Sequence, residues 1–388
     1  MTPQWGRLCG LGALAVLMGC VPMNGPPPDP DMPHGVQRVA DDLAHQLPPV
    51  GDQVRMVVFD PLLDHRSGQQ TNASLRVQQQ MEAQLAATPR VNIKIIPFDG
   101  AGAAQARWLL TGTLTALEPD RFRLSVAMSD RQSGIVVAQA VTPFRQAGMD
   151  NSPTKFYGDS PSLVRDRSVD GYVRTAETPK GNQADPLYIE QVPTSALLAD
   201  ALAAYNAERW TDALNLYGQA VKRTDGQQLR TYNGIYLTNV RLNNMKEAEE
   251  AFAKIAALGL ATNNLAVKLL FKPGATDFWP DPKVSALYPM WLRQIARAAE
   301  SAGACLNVVG HTSRSGSEQI NERLSLARAT AVRAQLDRLA PNLTHKMKVE
   351  GLGYKENLVG TGADDATDAI DRRVEFKVLP CGGQPAAH

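Results

Sequence analysis

The stretch Gly310 to Ala329, which reads GHTSRSGSEQINERLSLARA, decides how the last third of this chain is expected to fold. From Ile320 onward, apolar residues recur at steps of three and four, the pattern of a helix with one face on a protein core. They are Ile320, Leu324, Ala327, Ala331, Val332, Leu336 and Leu339. Arg328 lies on the same stripe. A guanidinium facing a core is costly unless an anion or well-placed acceptors meet it, so Arg328 predicts a carboxylate from the protein or a ligand. Periodicity alone also allows an arginine at the stripe edge to extend its head into water.

The same stretch resembles the OmpA-like peptidoglycan-binding domain, whose signature is GHTD, a small loop and N-x-x-L-S-x-x-R-A. Gly310, His311 and Thr312 match its start, and Asn321 to Ala329 match the rest. The resemblance extends over residues 267–378 and implies a β-α-β-α-β-β fold. Near its end, Arg372-Arg373-Val374-Glu375 is similar to the closing N-R-R-V-E of the family.

The resemblance also implies a ligand. In that family the aspartate of GHTD and the helix arginine clamp the ammonium and the carboxylate of diaminopimelate in the peptidoglycan stem peptide. Arg328 matches the arginine, but Ser313 stands at the aspartate, so half of the clamp is altered. Asp371 stands where the family has asparagine, and Asp368 lies near the place of an expected arginine. The residues assigned to peptidoglycan are Arg328, Ser313, His311, Thr312, Asn321, Asp368 and Arg372. His311, at a strand end, also fits a simple loop hydrogen bond.

Residues 1–20 have the pattern of a targeting segment, with Arg7 before an apolar run from Leu11 to Leu17 that is too short to span a bilayer. The sequence Leu17-Met18-Gly19-Cys20 resembles the lipobox of bacterial lipoproteins. This resemblance implies that Cys20 becomes the acylated, palmitate-carrying first residue, and the following Val21 resembles the pattern of proteins sent to the outer membrane. The alternative is an ordinary secretory signal cut nearby.

Composition bounds the rest of the chain. The 388 residues are too many for one ordinary domain, and 44% hydrophobic with 20% charged residues is typical of globular protein. With 40 Lys and Arg against 39 Asp and Glu, the net charge of +1 gives no indication of a nucleic-acid partner. The expected segments are a signal peptide (1–20), a proline-rich tether with solvated Asp29 and Asp31 (21–35), an α+β domain (36–146), a long linker (147–194), tetratricopeptide-like helices (195–260) and an OmpA-like domain (265–381).

Residues 36–146 predict an α/β sandwich-like domain with the order β-α-β-α-β-β-β, in which one layer of helices covers a sheet. Strands are expected at 56–59, 91–95, 108–117, 122–128 and 135–141. The Leu109 to Gly112 strand and the Ser129 to Gly134 turn resemble a small domain shared by penicillin-binding-protein activators and the curli-secretion family.

The middle of the chain divides in two. Residues 147–194 are polar and lack a sustained period, which predicts either disorder or an extended segment lying along a neighbouring domain. Beyond them, Trp210, Ala213, Leu214 and Tyr217 are followed 35 residues later by Met245, Ala248, Glu249 and Phe252. This spacing resembles two tetratricopeptide repeats, which serve either as a helical spacer or as a groove for a periplasmic protein partner.

The four cysteines divide by position. Cys9 and Cys20 belong to the targeting segment, and Cys305 and Cys381 flank the last domain. An isolated pair in an oxidising compartment favours a disulfide, since the start of the second strand and the end of the last would meet if these strands are antiparallel neighbours. In the last strand Val374, Phe376 and Val378 are expected to face the core, and Glu375 to point outward.

Nothing in the sequence has the spacing of a catalytic motif, a metal site or a cofactor loop. We therefore expect a binding protein rather than an enzyme. The first hypothesis is an outer-membrane lipoprotein that tethers the envelope to peptidoglycan and holds a partner. The alternative is a regulator or activator of a cell-wall synthase or hydrolase.

The anchoring hypothesis predicts the behaviour of a Cys20→Ala variant. Because acyl chains on Cys20 are the expected attachment, the variant should leave the membrane fraction and appear in the soluble periplasmic fraction. Fractionation with immunoblotting measures this against the unmodified protein. Sedimentation of the variant with outer membranes after a salt wash would contradict the lipoprotein interpretation.

Overall fold

The computed structural model describes residues 28–49, 53–88, 91–362 and 367–381. The predicted signal peptide, Cys20 and most of the proline-rich tether lie outside these residues. The described part is mixed α+β with two sheets, in agreement with the predicted class. No helix in it is both long and apolar enough to cross a membrane.

The first sheet contains six strands, β1 (Arg55–Phe59), β2 (Leu63–Asp64), β3 (Ile93–Ile96), β4 (Trp108–Glu118), β5 (Arg121–Asp130) and β6 (Ile135–Arg145). Five of them lie in the order β3-β1-β4-β5-β6, and β2 pairs with β4. β1 is parallel to both of its neighbours, whereas β4, β5 and β6 form an antiparallel meander. The predicted order of elements is present, with the short β2 added.

One face of this sheet is covered by α1 (Met32–Gln46) and α2 (Asn72–Ala86), whose Leu43 and Met81 pack in one buried cluster with Phe122 and Phe144. α1 starts inside the segment predicted as an extended tether. The Asp31 side chain accepts a hydrogen bond from His34 N at 3.0 Å and so caps the helix.

The prediction that Asp29 and Asp31 are solvated charges of a flexible linker is therefore wrong for Asp29. Asp31 is solvated as predicted, with a side chain 56% exposed, but it belongs to a helix start and not to a linker. Asp31 caps α1, and Asp29 accepts a 2.6 Å hydrogen bond from Nε of Arg121 on β5. The side chain of Asp29 is only 17% exposed. These two contacts fasten the end of the tether to the first sheet.

The connecting segment, residues 147–194, is not a linker without secondary structure. It contains α4 (Lys155–Asp159), α5 (Arg167–Glu177) and the start of α6 (Pro186–Asn206). Together with α3 (Gly100–Gln105), helices α5 and α6 cover the second face of the first sheet, where Val169, Tyr172 and Tyr188 join a buried cluster with Val58 and Leu109. The prediction of helices on one face only is wrong as well.

The physical reason lies in the central strands. β4 and β5 are buried at most positions, including consecutive residues that point to opposite faces, so both faces of the sheet need a cover. The buried side chains on the second face include threonines and serines. Because these residues are polar, the hydrophobicity pattern did not predict that this face is covered. Tyr172 OH accepts from Gly112 N at 2.9 Å and lies 2.7 Å from Gly112 O, which joins α5 directly to β4.

The helical unit comprises α6, α7 (Trp210–Ala220), α8 (Leu229–Arg241) and α9 (Met245–Ala261). Of the eight residues that suggested a repeat, Ala213, Tyr217, Ala248 and Phe252 are fully buried, whereas Met245 is 40% exposed. A Cβ at Gly234 would lie 2.2 Å from the Tyr217 ring, so a glycine is needed for α8 to approach α7 this closely. The assignment to tetratricopeptide repeats stays a prediction.

The last unit contains β7 (Leu265–Lys268), α10 (Pro282–Ser285), α11 (Tyr288–Ser301), β8 (Cys305–Gly310), α12 (Glu318–Leu339), a 3-10 helix (Pro341–Lys346), β9 (Met347–Gly351), a second 3-10 helix (Thr367–Asp371) and β10 (Arg373–Leu379). The sheet order is β7-β10-β8-β9, with β10 antiparallel to both neighbours. This is the β-α-β-α-β-β order that the resemblance implied.

The helical unit and the last unit share a hydrophobic core. Phe252 of α9 stacks on Trp291 of α11 with ring centroids 5.6 Å apart, and Trp291 Nε1 donates to Tyr236 OH at 2.8 Å. Trp291 is thus packed against both α8 and α9.

The connecting segment also reaches the second sheet. Leu163 N donates to Ala266 O at 3.0 Å, and Lys268 N donates to Pro161 O at 2.8 Å. These bonds place residues 161–163 along the open edge of β7. Of the two alternatives for the connecting segment, the structure shows an ordered segment lying along its neighbours.

A disulfide joins Cys305 to Cys381 in the structure, with Cα atoms 5.3 Å apart, and Cys305 pairs with Leu379 across β8 and β10. The bridge closes a separation of 76 residues. By the chain-entropy argument it stabilises the fold by about 4 kcal/mol at most.

Alkylation of the denatured, unreduced protein should leave Cys305 and Cys381 unlabelled, whereas a reduced control should be labelled at both. Labelling of both without reductant would exclude the bond.

Candidate functional site

The buried face of α12 is polar in its N-terminal half. It consists of Asn321, Ser325, Arg328, Ala329, Val332 and Leu336. The predicted stripe is therefore wrong at Ile320, which is 55% exposed, at Leu339, which is 45% exposed, and at Ala327, which is also exposed. It is right at Val332 and Leu336, which enter the core, and Arg328 does lie on the buried side. The pattern failed because hydrogen bonds to loops, rather than apolar contacts, satisfy this half of the helix.

Two glycines let α12 pack directly on the strand ends. A Cβ at Gly310 would lie 2.2 Å from Ser325 O, and one at Gly351 would lie 2.3 Å from Leu326 N. Neither position has room for a side chain. The glycine of the GHTS sequence is thus required by the backbone-to-helix contact, which brings the loop after β8 beside the first turns of α12.

Polar residues of α12 hold that loop. Asn321 Nδ2 donates to Ser315 O at 2.6 Å, and Ser325 Oγ accepts from Gly353 N at 2.9 Å. Thr312 N in turn donates to Gly353 O at 2.9 Å. Thr312 and Ser313 are 2% and 4% exposed, so the predicted site residues of this loop are buried.

Arg328 is 7% exposed and is met by acceptors, so the alternative in which its head extends into water is wrong. Its Nε donates to Ala275 O at 3.1 Å, and one terminal nitrogen donates to Lys272 O at 3.2 Å. The guanidinium carbon lies 4.9 Å from the centroid of the Phe271 ring, within cation–π range. The loop after β7 therefore orients the guanidinium.

The aspartates near the end of the chain organise a second loop. Asp371 accepts from Leu358 N at 2.7 Å, Val359 N at 3.2 Å and Gly360 N at 2.7 Å, using both carboxylate oxygens. Burial raises the pKa of Asp371 although these N–H groups oppose it. An asparagine, the residue of the resembling family, has one side-chain oxygen for this task. The aspartate at position 371, where the resembling family has asparagine, thus provides a second oxygen that accepts hydrogen bonds from the loop backbone.

Asp368 has a similar role. It is fully buried and accepts from Thr361 N at 3.0 Å and Thr361 Oγ1 at 2.6 Å. Arg372, the last predicted ligand residue, is half-buried immediately after the same 3-10 helix. Asp368 thus stabilises the loop at Thr361 through these hydrogen bonds.

The sequence interpretation missed a buried charge cluster next to the site. Arg373, whose side chain is 3% exposed, lies 2.7 Å from Glu375 Oε1, and His311 Nε2 lies 3.4 Å from the same oxygen. Glu375 was expected to point outward, but its side chain is only 16% exposed. The signal was present in the strand, because Arg373 and Glu375 are two residues apart and so lie on one face.

These contacts set the pKa values of the cluster. Burial lowers the pKa of His311, and the nearby Arg373 lowers it further, while Glu375 opposes both. Burial alone would raise the pKa of Glu375, but His311, Arg373 and Lys377 together hold it well below its usual range. The stable form of the cluster is a glutamate anion beside an arginine cation.

His311, Glu356 and Glu375 also place three ligand atoms within 4.8 Å of one another, a geometry open to a metal ion. Arg373 already donates to Glu375 at 2.8 Å and to Glu356 O at 3.1 Å. A guanidinium at this place supplies the positive charge and repels a cation, so the described residues favour an ion pair over a metal site.

Comparison with solved structures finds similarity over part of the chain. The peptidoglycan-associated lipoprotein of Burkholderia pseudomallei is 24% identical over 29% of this chain and 89% of its own, with a TM-score of 0.25. The cell wall anchor of the T6SS from Pseudomonas aeruginosa is 24% identical over 29% of this chain and 78% of its own, with a TM-score of 0.24. The C-terminal domain of LpoB from Salmonella enterica is 11% identical over 30% of this chain and 99% of its own, with a TM-score of 0.23. No protein-family model matches the chain, and no curated protein matches it.

The charge cluster predicts acid sensitivity of the last unit. The pKa of Glu375 is lower in the folded than in the unfolded chain. Glu375 therefore stabilises the fold fully at pH values above about 4.3, and this stabilisation is lost progressively as the pH falls below that value. The pKa of His311 is also lowered, so protonation below about pH 6.5 favours unfolding. Glu375→Gln should remove the glutamate part of this dependence. It should also cost about 3 kcal/mol at pH 7.5 by leaving Arg373 buried without its anion.

Urea unfolding at pH 7.5 and pH 4 measures both effects. Glu350→Gln is the matched control, because Glu350 is an exposed carboxylate on β9 of the same sheet. Equal stability of Glu375→Gln and the unmodified protein at pH 7.5 would show that the cluster does not stabilise the fold.

Proposed function

We propose that the unit formed by residues 265–381 binds peptidoglycan non-covalently, with Arg328 receiving the carboxylate of a diaminopimelate-type stem peptide. The observation that carries the proposal is the placement of Arg328. It lies on the buried face of α12, with two of its N–H groups directed at carbonyls of the loop after β7 and its plane near Phe271. The site thus holds a guanidinium in a fixed orientation, as bidentate recognition of a carboxylate requires.

Ligand access is consistent with these contacts. The acceptors seen at Arg328 in the loop, Lys272 O and Ala275 O, are neutral carbonyls. A carboxylate adds the attraction of its negative charge and can accept two parallel hydrogen bonds from a guanidinium, so a ligand carboxylate can displace these two carbonyls. Binding then proceeds with movement of the loop at residues 271–278.

The ammonium of the ligand would meet Ser313 in place of the aspartate of the resembling family. A neutral hydroxyl stabilises an ammonium less than a carboxylate does, by about 1 to 2 kcal/mol. Ser313 is also 4% exposed, so its hydroxyl is already surrounded by protein. We therefore propose weaker binding than in a domain that retains both halves of the clamp.

The remaining parts of the proposal concern the whole chain. An acylated Cys20 would attach it to the outer membrane, the last unit would bind the wall, and the helical unit would hold a periplasmic protein partner. In this proposal the protein works by binding and not by catalysis. Its support is the lipobox resemblance at residues 17–20 and the connection of all three units through shared cores.

Arg328→Ala should weaken sedimentation of the full chain with purified sacculi by at least tenfold. Loss of a bidentate charge-assisted contact costs about 2 to 3 kcal/mol, and each 1.4 kcal/mol or so is tenfold in affinity. Ser313→Asp should strengthen binding by restoring the second charge. Arg328→Lys keeps the charge but loses the planar fork, so it should fall between the unmodified protein and Arg328→Ala.

Arg338→Ala is the matched control, since Arg338 is an exposed arginine on the same helix. It should bind like the unmodified protein. If the unmodified chain does not sediment with sacculi, or if Arg328→Ala and Arg338→Ala behave alike, the proposed function fails.

A further inference from the structure

A cavity of about 210 Å³ lies between the first sheet and the helical unit. Its walls include the apolar side chains of Leu63, Leu75 and Leu202, and two of its lining residues are charged, Asp60 and Arg230. At about 30 Å³ per water, the volume equals about seven waters, which is too small for a drug-sized ligand and sufficient for a small metabolite. None of its lining residues belongs to the site on α12.

The position of the cavity in the fold is one where α/β sheets bind ligands. Asp60 directly follows Phe59, the last residue of β1, and β1 lies between the parallel strands β3 and β4. The chain passes from β1 to β3 through α2 on one face and from β3 to β4 through α3 on the other face. The connections that leave the neighbouring strands β1 and β3 thus run over opposite faces of the sheet, and such a switch point leaves a crevice for ligands at the carboxyl ends of these strands.

The two charges are built into the cavity wall and are not paired in contact. Asp60 is 6% exposed and accepts a 2.7 Å hydrogen bond from Tyr188 OH. Arg230 lies 3.5 Å from Ser195 Oγ through one terminal nitrogen, while its buried Nε has no hydrogen-bond partner among the described residues. Its guanidinium also interacts with Tyr157 and with the buried carboxylate of Asp166. No ion pair within 4 Å joins Arg230 to Asp60 in that part of the chain. Arg230 acts on Asp60 through its electric field alone.

This arrangement is poorly compensated as it stands. Burial raises the pKa of Asp60 to about 6, although the hydrogen bond from Tyr188 and the charge of Arg230 oppose the rise. At neutral pH the carboxylate is nevertheless ionised, in a site from which most water is excluded. An anion and a cation separated across an apolar cavity are the electrostatic complement of a molecule that carries both charges.

We propose that this cavity binds a small zwitterion of the free amino acid class, with its ammonium at Asp60 and its carboxylate at Arg230. The guanidinium of Arg230 supplies the positive charge that the carboxylate needs, and the leucines contact the aliphatic part of the ligand. A groove of about 400 Å³ adjoins the cavity and shares Pro61, Ala199 and Ala203 with it. This groove, next to Phe59 and Phe98, receives an apolar side chain.

The proposal is tested by calorimetric titration of the full chain at pH 7.5 with L-leucine, L-alanine and D-alanine. The single-charge analogues of leucine, 3-methylbutylamine and 4-methylpentanoate, are titrated in parallel. At least one of the three amino acids should bind, and leucine should bind at least tenfold more tightly than either analogue. If none of the amino acids binds, or if an analogue binds as well as leucine, the proposal is overturned.

Variants locate the site. Asp60→Asn and Arg230→Gln should each weaken binding at least tenfold, and Ala199→Leu should weaken it by narrowing the cavity without touching either charge. Asp60→Asn retains an acceptor for Tyr188 and removes a carboxylate whose ionisation folding disfavours, so it should fold. Asp170→Asn is the control, because Asp170 pairs with Arg165 outside this cavity. Circular dichroism verifies folding of each variant. Unchanged affinity in folded Asp60→Asn and Ala199→Leu would place the ligand elsewhere and reject this site.

Discussion

The arrangement of the whole molecule depends on residues 155–206, which cover one face of the first sheet and also pair with an edge strand of the second sheet. The first sheet is buried on both faces, and α5 and α6 supply the second cover. Between α4 and α5, the backbone of residues 161–163 pairs with β7 of the other sheet. A buried sheet face and an unpaired strand edge are both costly in water, and one continuous segment removes both costs. The two sheets are consequently joined by packing and hydrogen bonds as well as by covalent continuity.

The same principle operates at a smaller scale on α12. A helix with Asn321, Ser325 and Arg328 on its buried face could not pack on an apolar core. It packs here because loop backbones present acceptors and donors to each of these side chains. The loop after β9, which contains Gly353, is in turn held at residues 358–361 by Asp371 and Asp368. The candidate site is therefore a network in which the polar face of the helix and the loops order each other, and this network orients Arg328.

Buried charge recurs elsewhere, with different degrees of compensation. Glu375 beside Arg373 and His311 is compensated well, and its pKa falls far below the usual range. Asp60 near Arg230 is compensated poorly, and its pKa rises to about 6. A well-compensated pair serves stability, whereas a separated pair facing a cavity retains the capacity to stabilise a bound charge. This contrast distinguishes the structural cluster at the end of β8 from the cavity at the end of β1.

The sequence by itself determined the features that depend on local spacing. The order of the predicted strands and helices, the place of Arg328 on the core-facing side of a helix and the meeting of Cys305 with Cys381 follow from periodicity, a motif and strand neighbourhood, whereas the burial of the Arg328 head was left open. Tertiary structure alone decided the rest. The helices of the connecting segment were not predicted, because their apolar stretches are short. They can be recognised as buried helix faces only when they are seen packed on the polar, buried face of β4 and β5. The partners of Arg328 in the loop after β7 lie 53 and 56 positions away from it, and Asp60 and Arg230, which line one cavity, are 170 positions apart. Such contacts depend on which surfaces meet in space, and spacing along a chain carries no record of that.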